Sequence, residues 1–179
     1  MTAFSRQGFR WVLLIFLLSQ LQAAENFNDA QVKAGFLSKI GEFVTWPQKA
    51  SAGPGSPITI GILGNDPFGS VLDELVQGKE IKGRKLAIRR AANLGALRGC
   101  QILFISSSEE SRVRDILATI KADGTLTVSD VEQFTKAGGM IEVFVKSAKP
   151  GYNVNLKAAR SAGLNISAKV ARNSTTRDD

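Results

Sequence analysis

Apolar residues recur along the chain with the period of a helix in some segments and of a strand in others. The first clear segment predicts an amphipathic helix, because its apolar positions fall on one helical face. Asn28 or Asp29 can cap its start, and it ends near Val44 or Thr45 because Pro47 pushes Trp46 towards an extended conformation. Its apolar face consists of Val32, Phe36, Leu37, Ile40, Phe43 and Val44.

Strand-like and helix-like segments then alternate towards the carboxyl end. Strands are predicted at residues 58–63, 85–91, 100–106, 125–129, 140–146 and 152–156, and helices at 66–76, 107–121, 130–139 and 157–163. Residues 165–172 fit either a last strand or a short helix. This order predicts an α/β fold, a single domain with a mixed central sheet and helices on both faces. The tight "SAKPG" connection makes the last two strands of that sheet antiparallel.

The amino terminus predicts a signal peptide that is not part of the fold. Arg6 and Arg10 precede the apolar run 11–21, and Ala23 and Ala24 offer the small residues of a cleavage site. The run is shorter than the roughly 20 residues of a membrane-spanning helix, although an uncleaved anchor is the alternative. We predict a signal peptide at residues 1–23, export to the periplasm with no membrane span after cleavage, an α/β domain at 25–173 and a disordered tail at 174–179.

The residue types that most catalytic sites require are scarce. The chain has no histidine and a single cysteine, which removes the usual general base and argues against a zinc site. Cys100 cannot form an intrachain disulfide, and we interpret it as a buried thiol. The formal net charge of +7 is scattered rather than concentrated in an arginine-rich run, so nucleic acid is not an expected partner. We predict no enzyme activity, no catalytic residue, no metal and no cofactor.

Two strand-to-helix turns remain as candidates for a ligand site. "GNDPFG" contains Asn65 and Asp66, and "SSS" contains Ser106 and Ser107. Neither turn matches a phosphate-binding loop or a nucleophile elbow, so both fit ordinary capped turns. Their position at the carboxyl ends of strands nevertheless leaves a small-ligand cleft as the alternative function.

A basic strand offers a different kind of surface. "KGRKLAIRR" places Arg84, Arg89 and Arg90 around one short strand, together with two lysines. Such charges commonly protect an edge strand from pairing with another chain. The sharper interpretation is a docking surface for an acidic partner.

The order of motifs resembles that of the YfiR-like periplasmic family. The matching segments cover nearly all of the chain after the signal peptide: "VKAGFLSKIGEFVTWP" (32–47), "ITIGILGNDPFG" (58–69), "GKEIKGRKLAIRR" (78–90), "GCQILFIS" (99–106), "LTVSDVEQFTKAGGMIEV" (126–143) and "YNVNLKAARSAGLNIS" (152–167). The resemblance implies a periplasmic homodimer of α/β fold that is not an enzyme. It further implies a negative regulator that binds the periplasmic part of an inner-membrane diguanylate cyclase, lowering cyclic-di-GMP and restraining biofilm formation. A membrane sensor kinase is another partner found in the family.

One departure from the family concerns its disulfides. Many members pair the cysteine matching Cys100 with one on the neighbouring strand, where this chain has Gly61. A second family disulfide has no counterpart here either. Redox control is therefore not expected in this chain.

Trp46 raises the question of where the regulator touches its partner or a second copy of itself. A large aromatic ring lifted off a helix by the following proline can fill the core or form part of an interface. We expect partner or dimer contacts at Phe43, Trp46, Pro47, Arg84, Arg89 and Arg90.

Overall fold

The computed structural model describes residues 29–47, 53, 55–120, 123–146, 149–175 and 177–178. The predicted signal peptide lies outside the described residues, as does most of the loop predicted after Pro47.

Five parallel strands form the centre of an eight-stranded mixed sheet. The strands of the chain are β1 Val44–Thr45, β2 Ile58–Leu63, β3 Glu80–Ile81, β4 Arg84–Ala91, β5 Ile102–Ile105, β6 Leu126–Ser129, β7 Ile141–Lys146, β8 Lys149–Asn155, β9 Asn165–Ile166 and β10 Arg177–Asp178. The order in the large sheet is β10-β8-β7-β6-β5-β2-β4-β3, and β1 pairs with β9 in a separate antiparallel ribbon. Strands β4, β2, β5, β6 and β7 are mutually parallel, whereas β3 and β8 run antiparallel to their neighbours β4 and β7. The predicted mixed sheet is therefore confirmed.

Helices cover both faces of this sheet, as predicted. They are α1 at residues 29–40, α2 Ser70–Val76, α3 Val113–Ile120, α4 Leu156–Ser161 and α5 Ala168–Arg172, with 3-10 turns at Gly41–Phe43, Leu94–Leu97 and Ser107–Arg112. Alternate residues of β5 point into two separate cores. Ile102 and Phe104 join the cluster under α1, α2, α4 and α5, and Leu103 joins the cluster under α3. A strand buried on both faces is central, and β5 lies between β2 and β6.

Helix α1 is shorter than its apolar pattern predicts. It ends at residue 40, where a 3-10 turn begins, and Val44 is already extended. The extended backbone lets β1 pair with β9, with Val44 opposite Ile166. Pro47 favours an extended conformation at the preceding residue, which is consistent with a helix that has ended before Trp46.

The prediction of a helix at residues 130–139 is wrong. Gln133 has a φ of 59°, in the left-handed region, so the chain turns instead of continuing a helix. The buried ring of Phe134 lies so close to Gly139 that a Cβ there would clash with it. The segment therefore takes a conformation that packs the Phe134 ring against the backbone of Gly139, and not a regular helix.

Two other details differ from the sequence expectation. Helix α2 starts at Ser70, because the Asp66 carboxylate accepts from the Phe68 N–H at 2.8 Å and makes a turn rather than a helix cap. At the carboxyl end, Arg177–Asp178 pairs with β8 as a parallel strand. The tail predicted as disordered therefore includes a strand, since the outer edge of β8 offers free backbone groups for pairing.

Candidate docking groove

An aromatic groove lies between α1 and the β8–α5 corner of the domain. It encloses about 420 Å³. We call it the aromatic groove and define it by Val32, Gly35, Phe36, Lys39, Phe43, Tyr152, Lys169 and Val170. Phe43 is the residue of the predicted contact set that lines it.

The wide apolar stripe of α1 explains why this groove exists. Leu37 and Ala34 are fully buried against the sheet. Val32, Phe36 and Phe43 lie on the flank of the stripe and remain half-buried. A stripe wider than the sheet can cover leaves apolar side chains at its margin. The sequence carried this signal in the number of apolar positions on the helix, but the residues of the opposite wall could not be predicted from it.

Contacts between aromatic rings shape the groove. The Phe36 and Tyr152 ring centroids are 5.2 Å apart, and the Tyr152 hydroxyl donates to the Val170 carbonyl at 3.2 Å. Burial raises the pKa of Tyr152, so the phenol stays neutral and keeps donating. The Lys169 ammonium lies 5.7 Å from the centre of the Phe43 ring, within the range of a cation–π contact. The walls are thus positioned independently of any ligand.

The charges around the groove are of one sign. Lys39 and Lys169 are exposed at its rim, and in the part of the chain that the structure describes no acidic residue lines it. Apolar walls with a cationic rim fit an apolar segment that carries acidic residues.

Trp46 and Pro47 lie outside the groove and have structural contacts. The half-buried indole donates its N–H to the Gln101 carbonyl at 3.1 Å and packs against the core under α1. Pro47 lies against Gly163, where a Cβ would be 3.5 Å from its ring. Trp46 therefore joins the end of α1 to the start of β5, while part of its ring stays accessible.

The three arginines of the basic strand are held within the chain. Arg84 donates to the Ser56 and Pro57 carbonyls at 2.6 and 3.0 Å, and Arg89 donates weakly to the Ala96 and Arg98 carbonyls. Arg90 binds both oxygens of Asp73 and also Asp66.

Ion pairing leaves Arg90 poorly suited to a partner, whereas Arg84 and Arg89 bond only backbone carbonyls. The hydrogen bonds that Arg90 donates to Asp73, opposed by some desolvation, raise the pKa of Arg90. Its charge is already balanced by two carboxylates, so it has less to offer an acidic partner.

The two candidate ligand turns meet at the reversal of strand order, between the carboxyl ends of β2 and β5. The Asn65 N–H donates to the Ser108 hydroxyl at 2.9 Å, and Ser106 caps the following 3-10 turn. A Cβ on Gly64 would clash with the Ser108 oxygen, so the turns are in direct contact.

The carboxylate of Asp130 lies at the same end of the sheet as these two turns. Asp130 accepts from the Ser107 N–H at 3.0 Å and pairs with Lys33 at 3.1 Å. Desolvation lowers the pKa of Lys33, but its bonds to Asp29 and Asp130 outweigh that effect and raise it. This network could not be predicted from the sequence, because its members are far apart along the chain. It occupies the place where a small anionic ligand would bind in such a sheet.

The described residues show neither a metal-binding cluster nor a membrane-spanning helix. Within the described ranges, no group of three or more His, Cys, Asp and Glu side chains is arranged to hold a metal ion. No helix in the same ranges has both the length and the apolar character needed to cross a membrane.

One solved structure shares the fold at low sequence identity, and a second resembles this chain more weakly. An ABC domain from Streptococcus pneumoniae, solved in complex with L-Trp, is 12% identical with a TM-score of 0.53, over 84% of this chain and 60% of that one. A conserved domain protein from Vibrio cholerae O1 biovar El Tor is 13% identical with a TM-score of 0.49, over 68% of this chain and 55% of that one. This chain thus spans little more than half the length of either protein. At these identities the likeness concerns the fold alone.

Comparison with curated proteins gives no match. A family model described as YfiR/HmsC-like matches residues 30–175, which is nearly the whole of the described domain. The chain belongs to the YfiR/HmsC-like family.

Proposed function

We propose that this protein is a periplasmic repressor that holds an inner-membrane diguanylate cyclase inactive by binding its periplasmic part. Family membership supports the class of partner. The observation that carries the proposal is the aromatic groove, where half-buried rings and two exposed lysines face solvent. Its chemistry fits an apolar segment of the cyclase that bears acidic side chains.

Repression requires preference for one state of the cyclase. The regulator must bind the inactive conformation more tightly than the active one. Shifting a two-state equilibrium from 1:99 to 99:1 takes roughly 5.5 kcal/mol of differential affinity. A few buried aromatic contacts can supply that difference, because such residues dominate interface energies.

We further propose that the protein acts as a homodimer, with the accessible edge of Trp46 and the adjoining Pro47 in the dimer contact. The ring is only partly used by the core. Sedimentation of the chain from residue 25 tests this: a dimer that dissociates in the Trp46→Phe variant supports it, and a monomeric parent contradicts it.

Gly35 allows the groove to be blocked without damage to the fold. No atom lies within 4 Å of a Cβ built at this helical position. Gly35→Leu therefore fills the groove with a larger side chain. Replacing glycine in a helix also stabilises the helix by roughly 0.5–1 kcal/mol. Gly35→Ala provides a matched control, because it gains the same helix propensity and adds only a methyl group.

The experiment measures binding to the purified periplasmic region of a diguanylate cyclase encoded beside this gene, and cyclic-di-GMP in cells. We expect Gly35→Leu to raise the melting temperature yet bind at least tenfold more weakly and mimic gene deletion with high cyclic-di-GMP. Gly35→Ala should bind like the parent. Full repression by Gly35→Leu would place the contact elsewhere, and the double reversal Lys85→Glu/Arg89→Glu then tests the basic strand.

A further inference from the structure

A second cavity of about 420 Å³ lies at the end of the sheet opposite the Asn65 and Ser107 turns. It opens where α3 ends and β6 and β7 begin, and α4 closes its other side. We call it the basic cleft and define it by Arg114, Leu117, Ile120, Met140, Lys157 and Ser161. It shares no lining residue with the aromatic groove.

The floor of the basic cleft is apolar. Ile120 and Met140 are buried, and Leu117 is half-buried beside them. Two other lining residues have their polar groups engaged: the Thr127 hydroxyl accepts from the Met140 N–H, and the Asn155 side chain bonds the Thr135 carbonyl and the Ala158 N–H. A ligand entering the cleft would therefore meet a hydrocarbon surface below its mouth.

Positive charge is concentrated at the mouth. Arg114 belongs to α3 and Lys157 to α4, and both are exposed. None of the described residues that line the cleft is acidic. Among the described residues, the ion pairs of this protein involve neither of these two side chains. Both cations are thus available to one ligand.

We infer that the basic cleft binds a small anion with an apolar body, its acidic group held between Arg114 and Lys157 and its hydrocarbon part on Leu117, Ile120 and Met140. The cavity is near the lower end of the roughly 300–1,000 Å³ of ligand pockets, which limits the body to a short chain or a single ring system. Arginine and lysine recognise both carboxylate and phosphate oxygens. Because α3 and α4 cover opposite faces of the sheet, a bound anion ties the two layers together at this end.

The test uses octanoate as the probe, followed by amide chemical shifts in the isotope-labelled chain from residue 25. We expect saturable shifts at Leu117, Gly138 and Ala158. Octylammonium, which has the same chain and the opposite charge, should leave them unmoved. Octyl phosphate distinguishes the two acidic groups: tighter binding than octanoate assigns the cleft to phosphate esters, and weaker binding assigns it to carboxylates.

Paired variants identify the cations. Arg114→Ala/Lys157→Ala should weaken octanoate binding at least tenfold. Lys39→Ala/Lys169→Ala removes the same charge from the aromatic groove and should leave octanoate binding unchanged. The inference fails if millimolar octanoate gives no saturable shift, if shifts centre on Gly35 and Tyr152, or if the Arg114/Lys157 variant binds as the parent does. None of these outcomes measures binding of the cyclase, which the Gly35 variants test, so the two proposals stand or fall separately.

Discussion

At the scale of single residues, Cys100 and Gly61 occupy the two positions at which the family resemblance implies a disulfide. This chain has a glycine in place of one of the two cysteines. A Cβ built on Gly61 would lie 3.0 Å from the Cys100 sulfur and 3.3 Å from its Cβ. The Cβ atoms of a disulfide are usually about 3.5–4.5 Å apart. The site is therefore slightly tight but almost ready for a bridge, and glycine leaves the thiol without a partner.

We predict that Gly61→Cys forms a disulfide with Cys100 on air oxidation. Closing a loop of this length should stabilise the oxidised over the reduced form of the same variant by about 3–4 kcal/mol. Urea unfolding with and without dithiothreitol measures the difference, and thiol titration counts free cysteines. Two titratable thiols after oxidation would mean that the strands do not approach as closely as the structure places them.

At the scale of elements, Arg90 fastens α2 to the basic strand. It makes a two-pronged bond to Asp73 of α2, with N–O distances of 2.7 and 3.0 Å, and a third bond of 2.6 Å to Asp66 in the preceding turn. The Arg90 side chain is 36% exposed and that of Asp73 52%. Solvent screening therefore reduces what these ion pairs contribute.

We predict that Arg90→Lys lowers the free energy of unfolding by about 1 kcal/mol at low salt, because an ammonium cannot reproduce the planar guanidinium fork. The loss should shrink in 0.5 M NaCl, since salt screens exposed charges. Arg89→Lys is the control, because Arg89 makes only long bonds to carbonyls, and it should unfold like the parent. Equal losses in both variants would show that the strand responds to any change of arginine.

Elements with strong periodic patterns were predictable from the sequence, and those decided by tertiary contacts were not. The apolar run of β5 predicted a central strand, and the structure places it there. The segment 130–139 looked helical, but burial of Phe134 against Gly139 overrode local propensity. The groove shows the same division. Phe43 could be nominated from its helix, whereas Tyr152 and Lys169 come from elements more than a hundred residues away that only the fold brings near.

At the scale of the whole molecule, the two cores share their strands. Ile60 and Ile62 of β2 belong to the core under α1, and Leu63 of the same strand belongs to the core under α3. A β-strand cannot lose its packing on one face and keep it fully on the other. The domain should therefore unfold as one cooperative unit, as most single domains of this size do.

This cooperativity can be measured with one probe in each core. The sequence has two tryptophans and one cysteine. The chain from residue 25 therefore keeps a single tryptophan, Trp46, and a single cysteine, Cys100. Trp46 packs on the α1 side, and Cys100 is buried on the α3 side, where burial raises the pKa of its thiol. The thiol is therefore unreactive until that core opens. We predict that Trp46 fluorescence and pulse labelling of Cys100 give the same urea midpoint and slope. Labelling of Cys100 at lower urea than the fluorescence change would show that the α3 layer opens first, while the groove-bearing side stays folded.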